Sequence, residues 1–198
     1  MLAAGKPFND NVSIYAFFDT ILSIRKDGTV WHYGGDDYKM ATKSNIPAKL
    51  SSPAGIVFVK LACGSTLLGL TDKGDVYEWT AGHQTPVEKN LPAAASDIVS
   101  SNNHWAGALV GGDIYGWGDG IYLGTGGNIA NPTALKAAWG LKATIIKVTA
   151  NHNTLHFITD AGDLYGMGDN AQGEVGIGDE KVNKAESYPT PYVWDWTY

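Results

Sequence analysis

The chain is poor in most of what would tie it to a cofactor, a membrane or a polyanion. It has one cysteine in 198 residues, Cys63, so an intrachain disulfide is excluded. Set in Leu61-Ala62-Cys63-Gly64, that thiol reads as a small buried hydrophobe rather than a nucleophile. Lys and Arg number 14 against 20 Asp and Glu, giving a net charge of −6. With no basic cluster, a phosphate-contacting surface is disfavoured and nucleic acid is not an expected partner. No apolar run reaches membrane-spanning length, and Met1–Gly5 is too short and too weakly apolar for a signal peptide. A cytoplasmic and a secreted setting both stay open. There is no phosphate-cradling glycine loop, no His-x-x-x-His and no paired-cysteine spacing. Neither a cofactor nor a metal ion is therefore expected.

What the chain does have is glycine, aromatics and repetition. It holds 25 glycines, and charged residues make up only 17%, a balance that suits many short strands joined by tight turns. One phrase returns four times, about 45 residues apart: Asp27-Gly28-Thr29-Val30-Trp31-His32-Tyr33-Gly34, Gly74-Asp75-Val76-Tyr77-Glu78-Trp79, Gly112-Asp113-Ile114-Tyr115-Gly116-Trp117-Gly118, and Gly162-Asp163-Leu164-Tyr165-Gly166-Met167-Gly168. Each copy follows two strand-like runs. In the second copy these are 57–62 and 66–70, with Thr71-Asp72-Lys73-Gly74 as the hairpin turn before the returning strand 75–79. Runs such as Leu67-Leu68 and Val76-Tyr77 are apolar on both faces and need cover on both. Stacked propeller blades provide that cover, because each small sheet lies between its neighbours.

The pattern predicts an all-β chain forming a single repeat domain over residues 1–198, with blades over about 13–50, 57–95, 97–140 and 145–187. Residues 188–198 read as a strand that begins or completes a further blade. The polar, proline-bearing stretches 42–53, 85–95, 124–134 and 178–191 read as crossings between blades. Ala134–Gly140 reads as a short helix or a loop, the loop being favoured because the segment is too short for a helix without packing.

The phrases resemble the RCC1-type repeat, of the regulator of chromosome condensation and its relatives. Leu61-Ala62-Cys63-Gly64-Ser65-Thr66-Leu67-Leu68-Gly69-Leu70 matches the opening of that pattern, Gly116-Trp117-Gly118-Asp119 its middle, and Gly168-Asp169-Asn170-Ala171-Gln172-Gly173-Glu174-Val175-Gly176-Ile177-Gly178 its ending. Leu123-Gly124-Thr125-Gly126 is a shortened ending, and Gly82-His83-Gln84 departs from it. The resemblance implies a seven-bladed propeller with scaffold, inhibitor or other protein-interaction roles. One branch of the family exchanges guanine nucleotides, but no residue here argues for that. Four repeats fall short of seven blades. Three completions stay open: remaining blades in another or a longer polypeptide, pairing with a second copy, or closure as a small or open propeller.

The chemistry-bearing residues read mostly as structure. His104 and His152 fall on different blades and suit turns better than a metal pair. Asp119, Asp169, Asp179 and the Asp36-Asp37 pair sit in glycine-rich loops, where carboxylates cap turns; calcium is the alternative. Trp31, Tyr77, Tyr115 and Tyr165 share one repeat position, and Tyr33, Trp79, Trp117 and Met167 another, as blade-to-blade core does. The aromatics without a repeat equivalent, Tyr38, Trp105, Tyr122 and Trp139, are the rim candidates for a protein partner or a glycan. Trp194, Trp196 and Tyr198 of the aromatic C-terminal stretch join them. The expected function is a noncatalytic propeller scaffold binding a protein through its rim loops. A lectin-like propeller is the second reading. A glycan-active enzyme using two rim carboxylates is the third.

Overall fold

The computed structural model describes residues 8–35, 44–80, 85–102 and 104–176, and the backbone of 186–191. Four antiparallel sheets of four strands each follow one another along the chain. The first holds β1 (Asn11–Phe17), β2 (Thr20–Arg25), β3 (Val30–Gly34) and β4 (Ser44–Lys49); the second β5 (Phe58–Cys63), β6 (Leu67–Thr71), β7 (Val76–Trp79) and β8 (Val87–Glu88). The third holds β9 (Ala95–Ser100), β10 (Trp105–Val110), β11 (Asp113–Gly118) and β12 (Ile129–Ala134); the fourth β13 (Ile145–Asn151), β14 (Thr154–Thr159), β15 (Leu164–Gly168) and β16 (Glu186–Pro191). Every sheet is a simple meander in chain order. The first strands β1, β5, β9 and β13 contact one another in sequence, so they line the inside of the array. This is an open, unclosed set of propeller blades.

The repeat extends to detail. The first strand of each blade is irregular at the same place, between Asn11 and Ser13, Phe58 and Lys60, Ala95 and Asp97, and Ile145 and Lys147. A shared register makes blade positions comparable. Ile14, Leu61, Ile98 and Val148 are opposite Ser23, Gly69, Ala108 and Phe157, which in turn pair with Trp31, Tyr77, Tyr115 and Tyr165.

Large rings of blades 2, 3 and 4 face the blade before them and aliphatic chains face the blade after, with Trp105 of blade 3, which faces blade 4, as an exception. Tyr77 and Trp79 of blade 2 meet Leu22, Ile24 and Val30 of blade 1. Trp117 of blade 3 meets Leu68, Leu70 and Val76 of blade 2. Phe157 and Met167 of blade 4 meet Leu109 and Ile114 of blade 3. These three clusters are the core, and each joins consecutive blades. A fully buried large side chain contributes roughly 1.5–3 kcal/mol, so no blade buries enough alone.

Three expectations are corrected. The proline-bearing stretches are not simple crossings: β4, β8, β12 and β16 are the outermost strands of their blades. Pro47, Pro132 and Pro189 lie within such strands, where an edge tolerates a residue lacking an N–H. Tyr188–Pro191, read as the start of a further blade, belongs instead to the outer strand of the fourth. Lys136–Trp139 is a single helical turn, not a loop; Gly140 ends it in the left-handed conformation and buried Trp139 ties it to the core.

Candidate functional site

In a meander, alternate connections emerge at opposite ends. The β2–β3 hairpins gather on one rim and are short and alike. The other rim carries the β1–β2 turns and the β3–β4 connections, and the latter vary from 80–86 to 169–185. Loop diversity on a rigid frame is where binding residues are placed.

The loop rim is built on hydrogen-bonded turns. Asp119 Oδ1 accepts from the Ile121 N–H at 3.0 Å and Asp169 Oδ1 from the Ala171 N–H at 3.1 Å, so these carboxylates cap turns. Asp179, Asp36 and Asp37 lie outside the described residues. His104, at φ 60, accepts at its carbonyl from the Asp119 N–H at 2.8 Å and donates its own N–H to Ser65 Oγ at 3.0 Å. Among the described residues no group of three or more His, Cys, Asp or Glu side chains is placed to hold a metal ion. On the opposite rim, hydrogen bonds from the Thr29 hydroxyl and N–H hold the Asp27 carboxyl below its ordinary pKa.

Between blades 2 and 3 the loop rim opens into a pocket of about 210 Å³, lined by Ser65, Thr66, Glu78, His104, Trp117 and neighbours. Glu78 is 9% exposed. Lys89 Nζ lies 2.7 Å from its Oε2 and 5.0 Å from the centroid of the Trp117 ring. Thr66 Oγ1 and Trp117 Nε1 donate to its Oε1 at 3.0 and 3.2 Å. The carboxylate is thus matched by a cation and two neutral donors, the condition under which a buried charge is tolerated. It is the one carboxylate in the lining, so the pocket does not bring together the acid pair that glycosidic cleavage needs.

Sequence reading missed Glu78 because its position varies between blades, with His32 in blade 1. Blades 3 and 4 carry Gly116 and Gly166, and loop residues press on both: a Cβ at Gly116 would strike Leu123 and Leu135, and one at Gly166 would strike the Val175 carbonyl. Leu123 and Val175 are fully buried plugs. In blade 2 the Glu78–Lys89 pair stands on the corresponding strand position. The missing glycine in Tyr77-Glu78-Trp79 was the available signal.

The rim aromatics divide. Trp105 is 1% exposed and Trp139 9%, both within the core between blades 3 and 4. Trp139 stacks on Phe157 at 5.7 Å and donates its indole N–H to the Leu123 carbonyl at 2.9 Å. The expectation that these two rings stand at the rim is corrected: an aromatic outside the repeat pattern here fills space that the repeat leaves. Tyr122 is partly buried against the same cluster. Tyr38, Trp194, Trp196 and Tyr198 lie outside the described residues.

No family model matches the chain. Among solved structures it is similar to human WBSCR16, with a TM-score of 0.80 and 19% identity over 93% of this chain and 53% of that one. It is also similar to yeast RCC1 (Prp20), solved bound to Kap60, with a TM-score of 0.73 and 19% identity over 91% of this chain and 49% of that one. The chain has an RCC1-like β-propeller fold. Among curated proteins the human E3 ubiquitin-protein ligase HERC2 is 26% identical over 155 residues, 66% of this chain and 3% of HERC2. The RCC1-like chain therefore spans about half the length of the solved propellers it matches, and a small fraction of HERC2.

Proposed function

We propose that this chain is a noncatalytic propeller module that binds a protein partner on its loop rim. The observation that carries the reading is the contrast between the rims: glycine hairpins of two to four residues beside the blade-to-blade crossings at one end, four β3–β4 connections of dissimilar length at the other. Similar folds support the reading. Prp20 is described as bound to Kap60, and as having binding properties to Gsp1p and histones. Tyr122 on the 119–128 connection, with Tyr38, is the proposed aromatic contact; Trp194, Trp196 and Tyr198 are proposed to contribute from the C-terminal stretch.

A photo-crosslinking residue at Tyr122, compared with one at Lys73 on the opposite rim, tests this. A defined protein captured from Tyr122 and not from Lys73 is the expected result. Equal capture from both rims, or glycan-dependent quenching of tryptophan fluorescence without protein capture, overturns it, the second in favour of the lectin-like reading.

A further inference from the structure

Each internal joint between blades is made the same way. The Phe58 N–H donates to the Gly28 carbonyl at 3.1 Å, the Ala95 N–H to Gly74 at 2.8 Å, and the Ile145 N–H to Gly112 at 3.1 Å. The acceptor is always the β2–β3 hairpin glycine, and the donor always opens the next blade. The strand start lies so close that a Cβ on Gly28, Gly74 or Gly112 would collide with Val57, Ala94 or Thr144 respectively. Gly162 is the fourth member, with φ +88 against +75, +86 and +79, yet a Cβ there meets nothing within 4 Å. Among the described residues nothing fills this seat for a following blade.

The other end of the array carries what fits that seat. Lys26 N–H to Asp10 carbonyl, Asp72 to Val57 and Asp160 to Thr144 are the same bond in three blades, so Asn11 corresponds to Phe58 and Ile145. Among the described residues no blade precedes Asn11. The side chains agree. Ile14 is 71% exposed, whereas Leu61, Ile98 and Val148 at the same position are 2%, 1% and 9%. On blade 4, Ile158 and Leu164 are each 37% exposed, whereas Leu70, Leu109 and Ile24, and Val76, Ile114 and Val30, are 6% or less. Core-type residues thus lie uncovered on both end faces, Ile14 on one and Ile158 and Leu164 on the other. Phe8 already lies against Trp31 at 5.3 Å, which leaves the inner strand of blade 1, with Val12 and Ile14, as the open part. At the shared rim Asp160 and Asp163 flank Gly162, while Arg25 and Lys26 beside Asn11 are each paired with Asp10 at 3.7 Å.

We infer that a second copy of this chain docks blade 1 on blade 4, with the Asn11 N–H on the Gly162 carbonyl, and that two such joints close an eight-bladed ring. Donor, acceptor and both uncovered apolar faces belong to one chain, so a copy supplies the matching face. Eight blades require slightly less turn per blade than the seven implied by the resemblance. The joint is independent of the loop rim and of what binds there.

Light scattering on the purified 198-residue chain tests the inference, together with Ile14→Glu and Leu164→Glu. Twice the chain mass of 21.1 kDa is expected, falling to a single chain in either variant with circular dichroism unchanged. A wild-type monomer, a dimer that survives both substitutions, or open-ended larger polymers overturns it; a monomer points to blades supplied by a different polypeptide. Should either variant not fold, Asn11→Cys mixed with Ala161→Cys, both in a Cys63→Ala chain, gives a second reading. A disulfide between the two chains is expected under mild oxidation, and its absence overturns the joint.

Discussion

Leu61 and Ile14 hold the same place in successive blades, yet one is 2% exposed and the other 71%. The residue type is set by the repeat, while the exposure is set by whether another blade lies against it. The internal joints and the end faces are thus one surface in two states, covered and open. The strongest way to sharpen that comparison is to cut both positions to alanine. Leu61→Ala is expected to cost about 2–5 kcal/mol, by lost burial and the cavity left behind. In dilute solution Ile14→Ala stays within about 0.5 kcal/mol of wild type. Its cost emerges only as chain concentration rises. Urea unfolding at two concentrations measures both.

A second comparison sets the joint between blades 2 and 3 against that between blades 3 and 4. The first is closed by a matched ion pair, the second by the buried plug Leu123 over Gly116. Glu78→Ala leaves Lys89 without its partner at 17% side-chain exposure, and is expected to cost roughly 3 kcal/mol. Replacing both, as Glu78→Leu with Lys89→Met, recovers most of that loss, because a desolvated pair contributes little beyond an apolar one of similar volume. Thermal unfolding of the single and double variants reads this directly.

Blade 4 has the fullest version of the loop that blade 3 abbreviates. Asn170 is fully buried, and its Oδ1 accepts from the Val175 N–H at 3.0 Å. Asn170→Ala is expected to cost about 1–3 kcal/mol. Hydrogen exchange should quicken over 170–176 while blade 2 stays protected.

The smallest effect concerns pH. Tyr77 is pushed above its ordinary pKa by burial, and then by Glu88, whose Oε2 accepts from the phenol at 3.2 Å. The fold therefore favours the neutral phenol. That stabilisation is complete below pH 10 and is lost as pH rises from 10 through the higher folded value. Tyr77→Phe should flatten the alkaline limb of a stability–pH curve, and an unchanged limb contradicts the assignment.

The blade plan was legible because its signals are local and repeated: hairpin glycines at 28, 74, 112 and 162, and apolar alternation around Val30, Val76, Ile114 and Leu164. The outer strands were not, because Pro47, Pro132 and Pro189 read as breakers until a neighbour shows that they lie at an edge. The helical turn at Lys136–Trp139 depends on the packing of Trp139, which is a tertiary fact. Trp105 and Trp139 misled for a related reason: standing outside the repeat pattern is a property of sequence, and exposure is a property of neighbours. Glu78 broke the repeat visibly, but its meaning required Lys89, Thr66 and Trp117 to be seen around it.

The most direct test of the equivalence between end faces and internal joints is amide hydrogen exchange followed across chain concentration. Peptides spanning Asn11–Phe17 and Ile158–Leu164 should gain protection together as concentration rises, while those spanning Leu61 and Leu70 stay protected throughout. Exchange at both ends that is the same at every concentration would contradict the account.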